Sequence, residues 1–382
     1  MIIIMKPDVD PTGPEVQKLL DFLSQFKDIQ TRSSGIRGAQ RVVNEIYLIG
    51  PTHHIPSEVI ERMPGVEKVV RVSSKYRQIG RHGGQVDDIG FVYNGIEFSQ
   101  QNFNCFIGPC AVDTPDNVET IFRNMKRTGL QTARMGVYKP RTSPYDFQGH
   151  GKACLPWLFE LAGKYDIKVI AMEVLKEIHI EEIFQALEEA GKPTGVMLQI
   201  GTRNAQNFEL LKAAGSQTEF PVLYKRGMGL SLEDSLNACE YIASEGNRNI
   251  VFCLRGVQSR LGDPHRNLVD FAHVPVVKRL TRLPVCIDPT HSVGSKDRAP
   301  DGIFDIFHVT AQGIIAGANM VLTEFHPRPE MALCDGHQAL TMPELDYYLA
   351  DIEAVRKCYQ ERLQLAQQAI FKQWHSGKGQ EG

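Results

Sequence analysis

The sequence predicts an α/β protein in which a (β/α)8 barrel follows a small α+β domain. From residue 103 onward, eight short apolar segments rich in β-branched residues recur, as expected for parallel strands buried on both faces. Amphipathic stretches such as Leu155–Ala162 and Leu232–Ala243 separate them. About 250 residues for eight such units is the usual size of a TIM barrel. The alternative, a doubly wound open sheet, normally carries a Gly-rich phosphate turn after its first strand, and no GxGxxG motif occurs there.

The predicted barrel strands follow one another at the spacing that intervening helices require. In chain order they are Phe103–Cys110, Thr132–Tyr138, Ile167–Val174, Gly195–Gly201, Phe220–Lys225, Asn249–Arg255, Leu283–Pro289 and Ala318–Phe325.

The first 75 residues have a different order of predicted strands and helices. Strands and helices interleave there as in a ferredoxin-like βαββαβ unit, and the predicted elements are Ile2–Met5, Pro14–Phe26, a weaker strand near Ile29–Arg32, Val42–Ile49, Ser57–Met63 and Val66–Val72. A hairpin around Asn94-Gly95, a strong turn signal, lies in the connector that follows. We therefore expect a ferredoxin-like domain at 1–75, a connector at 76–102, the barrel at 103–365 and a polar tail at 366–382.

Composition excludes several classes of protein. The net charge of −3 gives no reason to expect a nucleic-acid or membrane partner. No apolar run approaches the roughly 18 residues that a membrane span needs. The eight cysteines form no CxxC pair, which is typical of reduced structural thiols and predicts a cytoplasmic protein.

Reactive residues concentrate at the carboxyl ends of the predicted strands. Barrel active sites are built there, because the loops that follow the strands converge on one mouth. The residues are Cys110, Arg134, Lys139, Arg141, Glu173, Arg203, Lys225, Arg255, Asp288, His291, Glu324 and His326.

One subset of these residues is cationic. A single Arg at a strand end would more often pair with a neighbouring carboxylate, but six cations at one mouth repel each other unless anions hold them together. The subset therefore predicts substrates with several anionic groups, such as two phosphates and a carboxylate; it comprises Arg134, Lys139, Arg141, Arg203, Lys225 and Arg255.

The second subset is Cys110, His291, Glu324 and Asp335. Sulfur, nitrogen and oxygen ligands together suit one borderline divalent ion such as Mn, Fe, Co or Zn. Because the four residues are far apart in sequence, a packed thiol at Cys110 and a histidine at a helix start remain open as alternatives.

At these residues the chain resembles the 3-deoxy-D-arabino-heptulosonate 7-phosphate (DAHP) synthases, in the class that carries a ferredoxin-like domain before the barrel. The resemblance runs from Met1 to about Leu365. It is carried by Gly108-Pro109-Cys110, Lys139-Pro140-Arg141-Thr142-Ser143-Pro144-Tyr145, Gln199-Ile200-Gly201-Thr202-Arg203-Asn204, Lys225-Arg226-Gly227, Asp288-Pro289-Thr290-His291-Ser292, Glu324-Phe325-His326-Pro327 and Asp335-Gly336.

The resemblance implies a reaction and a role for each matched residue. Phosphoenolpyruvate condenses with erythrose 4-phosphate and water to give DAHP and phosphate, the first step of the shikimate pathway. The metal ligands are Cys110, His291, Glu324 and Asp335; Arg134, Lys139, Arg203, Lys225 and Arg255 surround phosphoenolpyruvate; Arg141 and Thr142 take the aldose phosphate; and Glu173 and Asp288 are further acids of the site.

Several points stay open at this stage. Lys139, Glu173 and His291 are all candidates to take the proton of the attacking water. A sister synthase using another aldose phosphate, such as arabinose 5-phosphate, and a non-catalytic ligand-sensing barrel are the alternative functions. The resemblance also implies a homo-oligomer, with a tetramer favoured, and feedback inhibition by tyrosine or phenylalanine through the first domain. The charged residues of that domain match no catalytic pattern; they are Arg32, Arg37, Arg41 and Glu45.

Overall fold

The computed structural model describes residues 1–7, 9–37, 42–71, 76–81 and 90–377. Eight parallel strands close into a barrel surrounded by helices, and a four-stranded antiparallel sheet precedes it. This architecture confirms the predicted fold class.

The N-terminal domain has the ferredoxin-like order of elements. Its four strands are arranged in the order β2-β3-β1-β4, and the weaker predicted strand is confirmed as β2. Helices cover one face of the sheet, where residues such as Ile3, Leu19 and Leu48 form a separate core. The elements are β1 (Ile2–Met5), α1 (Pro14–Leu23), β2 (Gln30–Arg37), β3 (Val42–Ile49), α2 (Ser57–Glu61) and β4 (Val66–Val70).

A hairpin made of β5 (Phe91–Tyr93) and β6 (Ile96–Phe98) closes the amino-terminal end of the barrel. Its two turn residues, Asn94 and Gly95, have φ of 46° and 80°, the left-handed conformation that a tight hairpin turn requires. The rings of Phe91 and Phe98 stack at 5.0 Å between centroids and pack against the barrel's interior side chains. The Gly83-Gly84 part of the connector lies outside the described residues.

All eight predicted barrel strands are present, and each is shorter than predicted at one or both ends. The rim, which we define as the carboxyl ends of these strands and the loops after them, begins where the backbone leaves the sheet. Cys110, Lys139 and His291 therefore lie in rim segments and not inside strands. The strands are β7 (Asn104–Gly108), β8 (Thr132–Arg134), β9 (Val169–Val174), β10 (Gly195–Ile200), β11 (Val222–Lys225), β12 (Ile250–Leu254), β13 (Val285–Ile287) and β14 (Met320–Glu324).

Helices surround the barrel. The last one continues to Gly377 and so extends into the segment that we expected to be a polar tail. None of the helices in the described ranges is long and apolar enough to cross a membrane. They are α3 (Pro115–Thr128), α4 (Leu155–Lys164), α5 (Glu177–Glu189), α6 (Phe208–Ser216), α7 (Leu232–Glu245), α8 (Val274–Leu280), α9 (Pro289–Val293), α10 (Asp305–Ile315) and α11 (Met342–Gly377).

The N-terminal domain contacts the barrel at the end opposite the rim. The buried carboxylate of Glu45 on β3 lies 3.9 Å from Arg248 and 3.7 Å from Arg282, which precede β12 and β13. The Arg248 guanidinium lies over the Tyr47 ring at 4.5 Å, and Arg32 donates to the carbonyl of Ser244 at 2.8 Å. Because two barrel arginines hold Glu45, the described part of the domain lies away from the mouth of its own barrel.

Candidate active site at the barrel rim

The four predicted metal ligands come together at the rim. Each of Cys110, His291, Glu324 and Asp335 offers one ligand atom, and these atoms all lie within 4.8 Å of one another. Two of them meet because the barrel closes: β7 pairs with β14, Gly108 lies opposite Glu324, and the Cys110 amide donates to Glu324 Oε1 at 2.7 Å.

His291 is oriented by the carboxylate that caps its helix. Asp288 accepts a hydrogen bond from the His291 amide at 3.1 Å and lies 3.0 Å from the ring Nδ1. Burial lowers the pKa of His291, but the neighbouring Asp288 carboxylate outweighs it and raises the pKa to about 9. Nε2 is left facing Asp335, at 3.8 Å from its Oδ2. A histidine bonded to a carboxylate through one nitrogen presents the other to a metal in a fixed direction.

Asp335 reaches the cluster from the loop between β14 and α11. Its φ of 55° is left-handed, a conformation that Asp tolerates better than most residues. Burial raises the pKa of Asp335, but hydrogen bonding and charge from His291, together with the Lys139 ammonium, outweigh it and hold the pKa well below its usual range. The carboxylate is therefore ionised and available as a ligand.

Two cations hold the anionic donors of the cluster. Lys139 Nζ lies 3.2 Å from Asp335 Oδ2 and contacts Cys110 Sγ, and Arg134 contacts the buried Glu324 carboxylate. Two carboxylates, a thiol and an imidazole that converge in this way fit a borderline divalent ion, since each donor type is one that such ions accept.

A narrow inner cavity that opens to solvent lies directly at this cluster. Two polar atoms of its lining residues, Arg134 Nε and Gln199 Oε1, are buried and have no hydrogen-bond partner in the described part of the chain. Buried polar atoms are rarely left unpaired, so they indicate a ligand or water. The lining residues are Cys110, Arg134, Gly136, Lys139, Ala171, Glu173, Gln199, Lys225 and His291.

A wider outer cavity that also opens to solvent shares Lys139 and His291 with the inner one. Arg255 is 4% exposed, and its Nε and Nη1 have no partner among the described residues. Burial lowers the pKa of this guanidinium, so it needs an anion to offset its desolvation. The lining residues are Lys139, Pro140, Arg141, Thr142, Asp146, Arg203, Met228, Arg255, Gln258, Arg266, Asn267, His291, Cys334 and Asp335.

All the predicted site residues lie at the rim, and Asp288 lies behind the two cavities. It lines neither of these two cavities and is fully buried. Its Oδ2 lies 2.5 Å from Lys225 Nζ. Since Asp288 contacts Lys225 and His291, its geometry suits orienting these two side chains and not touching a substrate.

Some lining residues escaped the sequence analysis. Gln199 could have been found by alternation, because it follows the interior residue Met197 by two positions on β10. Arg266 is not among the predicted site residues, yet it lines the outer cavity, with Nη1 3.6 Å from Asp335 Oδ1. Cys334 lies beside Asp335 and accepts from Arg141 Nη1 at 2.9 Å.

Comparisons with known proteins agree with this geometry. Residues 92–361 match the model of the DAHP synthetase I family, and residues 1–74 match that of the DAHP synthase ferredoxin-like domain. The chain is 33% identical over 369 residues to the phospho-2-dehydro-3-deoxyheptonate aldolase of Thermotoga maritima, with 96% of this chain and 98% of that protein covered. It is 29% identical over 263 residues to the 2-dehydro-3-deoxyphosphooctonate aldolase of Desulfatibacillum aliphaticivorans, covering 65% of this chain and 90% of that protein.

Two solved structures are similar as well. The crystal structure of the Thermotoga maritima DAHP synthase superposes with a TM-score of 0.67 at 30% identity, covering 94% of this chain and 97% of that one. A truncated form of the 3-deoxy-D-arabino-heptulosonate 7-phosphate synthase from the same organism gives a TM-score of 0.64 at 28% identity, covering 75% of this chain and 98% of that one.

Proposed function

The chain belongs to the DAHP synthetase I family, and we propose that it condenses phosphoenolpyruvate with D-erythrose 4-phosphate and water to give DAHP and inorganic phosphate. The observation that carries the proposal is the pair of adjoining cationic cavities that meet at the Cys110–His291–Glu324–Asp335 cluster. Two anionic substrates can occupy the two cavities side by side, with their reacting carbons at the shared boundary.

We place phosphoenolpyruvate at the inner cavity because of the cations that line it. Arg134, Lys139 and Lys225 line it, and they are suited to the carboxylate and phosphate of this small substrate. Arg203 and Arg255 line the outer cavity, and we assign both to the phosphate of phosphoenolpyruvate where that cavity adjoins the inner one. The unpaired guanidinium nitrogens of Arg255 would serve a phosphate oxygen at the boundary.

The aldose phosphate fits the outer cavity. Arg141 and Thr142 lie on its wall with Arg266. Arg141 is held by Asp146, whose Oδ2 lies 2.9 Å from Nη2. The exposed edge of the Arg141 guanidinium can still bind the terminal phosphate of the aldose. Binding there would direct the aldehyde toward the inner cavity.

Cys110, His291, Glu324 and Asp335 would hold the divalent ion. When bound, such an ion supplies a Lewis acid that polarises the aldehyde carbonyl. C3 of phosphoenolpyruvate bonds to the aldehyde carbon, and positive charge develops at C2. Water then bonds to C2 and loses one proton, and the aldehyde oxygen, which received the electron pair of the C=O bond, takes up a proton. The C2 hydroxyl loses its remaining proton as the bond between C2 and the phosphate oxygen breaks, which leaves the C2 ketone and releases phosphate carrying that proton. The cations lining the cavities offset the anionic charges throughout.

Glu173 is our choice for the group that takes the proton of water. His291 has one nitrogen on Asp288 and the other facing Asp335, and Lys139 donates to Cys110 and Asp335. Gln199 Nε2 donates to Glu173 Oε2 at 3.3 Å, so the free Gln199 Oε1 and the carboxylate form two adjacent acceptors. A water that donates to both turns its lone pair toward the substrate.

We further propose that an aromatic amino acid inhibits the enzyme through residues 1–75 in a homo-oligomer. In its own chain this domain lies at the end opposite the rim, held through Glu45. Inhibition would therefore act through a shift of that contact or through a neighbouring subunit. Coupling of this kind must be reciprocal with substrate binding.

The decisive experiment measures initial rates with phosphoenolpyruvate and a panel of aldose phosphates, before and after exhaustive chelation. We expect turnover with erythrose 4-phosphate, loss of that turnover when residual metal is near zero, and recovery with Mn, Co or Zn. A preference for arabinose 5-phosphate would identify the sister reaction instead. Full activity in demonstrably metal-free protein would refute the assignment of the four ligands.

A further inference from the structure

We propose that Asp113 and His326 form a clamp between rim loops that sets the metal affinity of the site without either residue contacting the ion. The proposal rests on the metal centre proposed above. His326 follows the ligand Glu324 by two residues, and Asp113 follows the ligand Cys110 by three. Their side chains meet across the rim, with His326 Nε2 2.9 Å from Asp113 Oδ2.

The direction of this hydrogen bond is fixed by a second one. The backbone amide of Arg328 donates to His326 Nδ1 at 3.1 Å. Nδ1 is thus the acceptor nitrogen, and the hydrogen on Nε2 is donated to the carboxylate. His326 and Asp113 are almost fully buried, with exposed fractions of 1% and 7% respectively. A hydrogen bond to a buried carboxylate is stronger than one between neutral groups, and its loss leaves an unpaired buried charge.

Further contacts make the clamp a connection between three loops. Asp113 accepts from the Thr114 amide at 2.6 Å and from Asn117 Nδ2 at 2.5 Å. Arg328 Nη2 donates to Asn117 Oδ1 at 2.8 Å, a second bridge, which joins the segment after β14 to the first turn of α3. His150 Nε2 lies 2.7 Å from the Asp113 carbonyl, which ties in the loop that carries Lys139 and Arg141.

The clamp lies behind the ligands. Asp113 and His326 line neither the inner nor the outer cavity, and they are absent from the ligand cluster. They are therefore positioning residues: they hold Cys110 and Glu324, which sit on separate segments, at the separation that one ion needs. Outer partners of this kind typically change metal affinity 10–100-fold when they are removed.

The test is Co²⁺ binding to the full-length, metal-free protein, in competition with a chelator of known affinity. We expect H326Q and D113N each to raise the Kd for Co²⁺ by roughly 10–100-fold and to alter the absorption band of the Cys110–cobalt bond. The double variant should be no weaker than the worse single one, because both changes break the same contact. H308Q is the matched control, since His308 forms an exposed pair with Asp301 at 3.1 Å outside the rim; it should bind Co²⁺ as the unaltered protein does.

The outcomes separate the clamp from the metal centre. If the clamp variants bind Co²⁺ normally and only lose thermal stability, the clamp is structural and the proposal is overturned. If the unaltered protein takes up no Co²⁺ and shows no thiolate band, the metal centre fails, and the clamp proposal fails with it. If H326Q and D113N both fail to fold, R328M is the substitute, because it removes only the second bridge. We expect R328M to raise the Kd for Co²⁺ roughly fivefold, the usual contribution of one hydrogen bond. An unchanged Kd for Co²⁺ would overturn the proposal.

Discussion

Replacing Gly201 with alanine tests the role of Glu173 without touching it. A Cβ at Gly201 would lie 1.8 Å from Glu173 Oε1. The backbone there has an ordinary φ of −70°, so alanine introduces no conformational strain. The atom in the way is the end of a flexible side chain, and we therefore expect the carboxylate to move while the backbone stays in place.

The size of the effect follows from that overlap. An ordinary contact needs at least 3.4 Å, so the carboxylate must retreat by roughly 1.5 Å. Misplacing a reacting group by about 1 Å can cost on the order of 100-fold in rate. We expect kcat of G201A to fall by about that factor while KM for phosphoenolpyruvate changes little, since the cations of the inner cavity are untouched. Stability should be unchanged or slightly higher, because alanine restricts the unfolded chain.

Steady-state kinetics and thermal unfolding of G201A and G229A form the assay. Gly229 lies in the loop after β11, and a Cβ there would meet nothing within 4 Å. G229A should therefore keep full activity. If G201A also stays within threefold of the unaltered kcat, Glu173 is not the group that must be held in place, and the proton acceptor has to be sought elsewhere.

Three more outcomes are expected. Q199M should lower kcat about 10-fold or more, as expected when a group that orients water is lost. The control is Q78M, which alters a buried glutamine of the connector whose Oε1 is also unpaired among the described residues, and it should not lower kcat. Equal losses of kcat would show that both variants act through folding. R141A should raise KM for erythrose 4-phosphate far more than that for phosphoenolpyruvate, and R203A the reverse; parallel effects on both would mean that the cations are divided wrongly. Tyrosine or phenylalanine should inhibit the full chain but not a version beginning near Gly80; inhibition of a folded, active truncated enzyme would contradict the assignment of the effector to the first domain.

The sequence predicted the rim well because strand ends are a local signal. Apolar runs locate β7 to β14, and the residue that ends each run must lie at the mouth of a closed barrel. Cys110 and Glu324 meet for this reason, since closure pairs the first barrel strand with the last. The same reasoning overlooked Gln199, although its position on the inward face of β10 was available from alternation.

The loops could not be predicted in this way. Asp335 reaches the cluster from a left-handed position in the segment after β14, which no periodicity encodes; its ligand type and the family resemblance indicated it. Arg266 lies in the long connection between β12 and α8, where tertiary contacts decide the path of the chain. Glu45 carries no catalytic pattern, and its burial between two arginines depends on how two domains meet.

The hairpin of β5 and β6 limits the route by which molecules reach the interior of the barrel. Its stacked phenylalanines close the amino-terminal end of the barrel. Among the described residues, the interior is therefore reached from the rim. A molecule at Arg134 in the inner cavity has to pass the outer cavity on its way in and out. Under the proposed assignment of substrates, we expect phosphoenolpyruvate to bind before the aldose phosphate, because a molecule in the outer cavity blocks the way to the inner one. Product-inhibition patterns would test this order of binding.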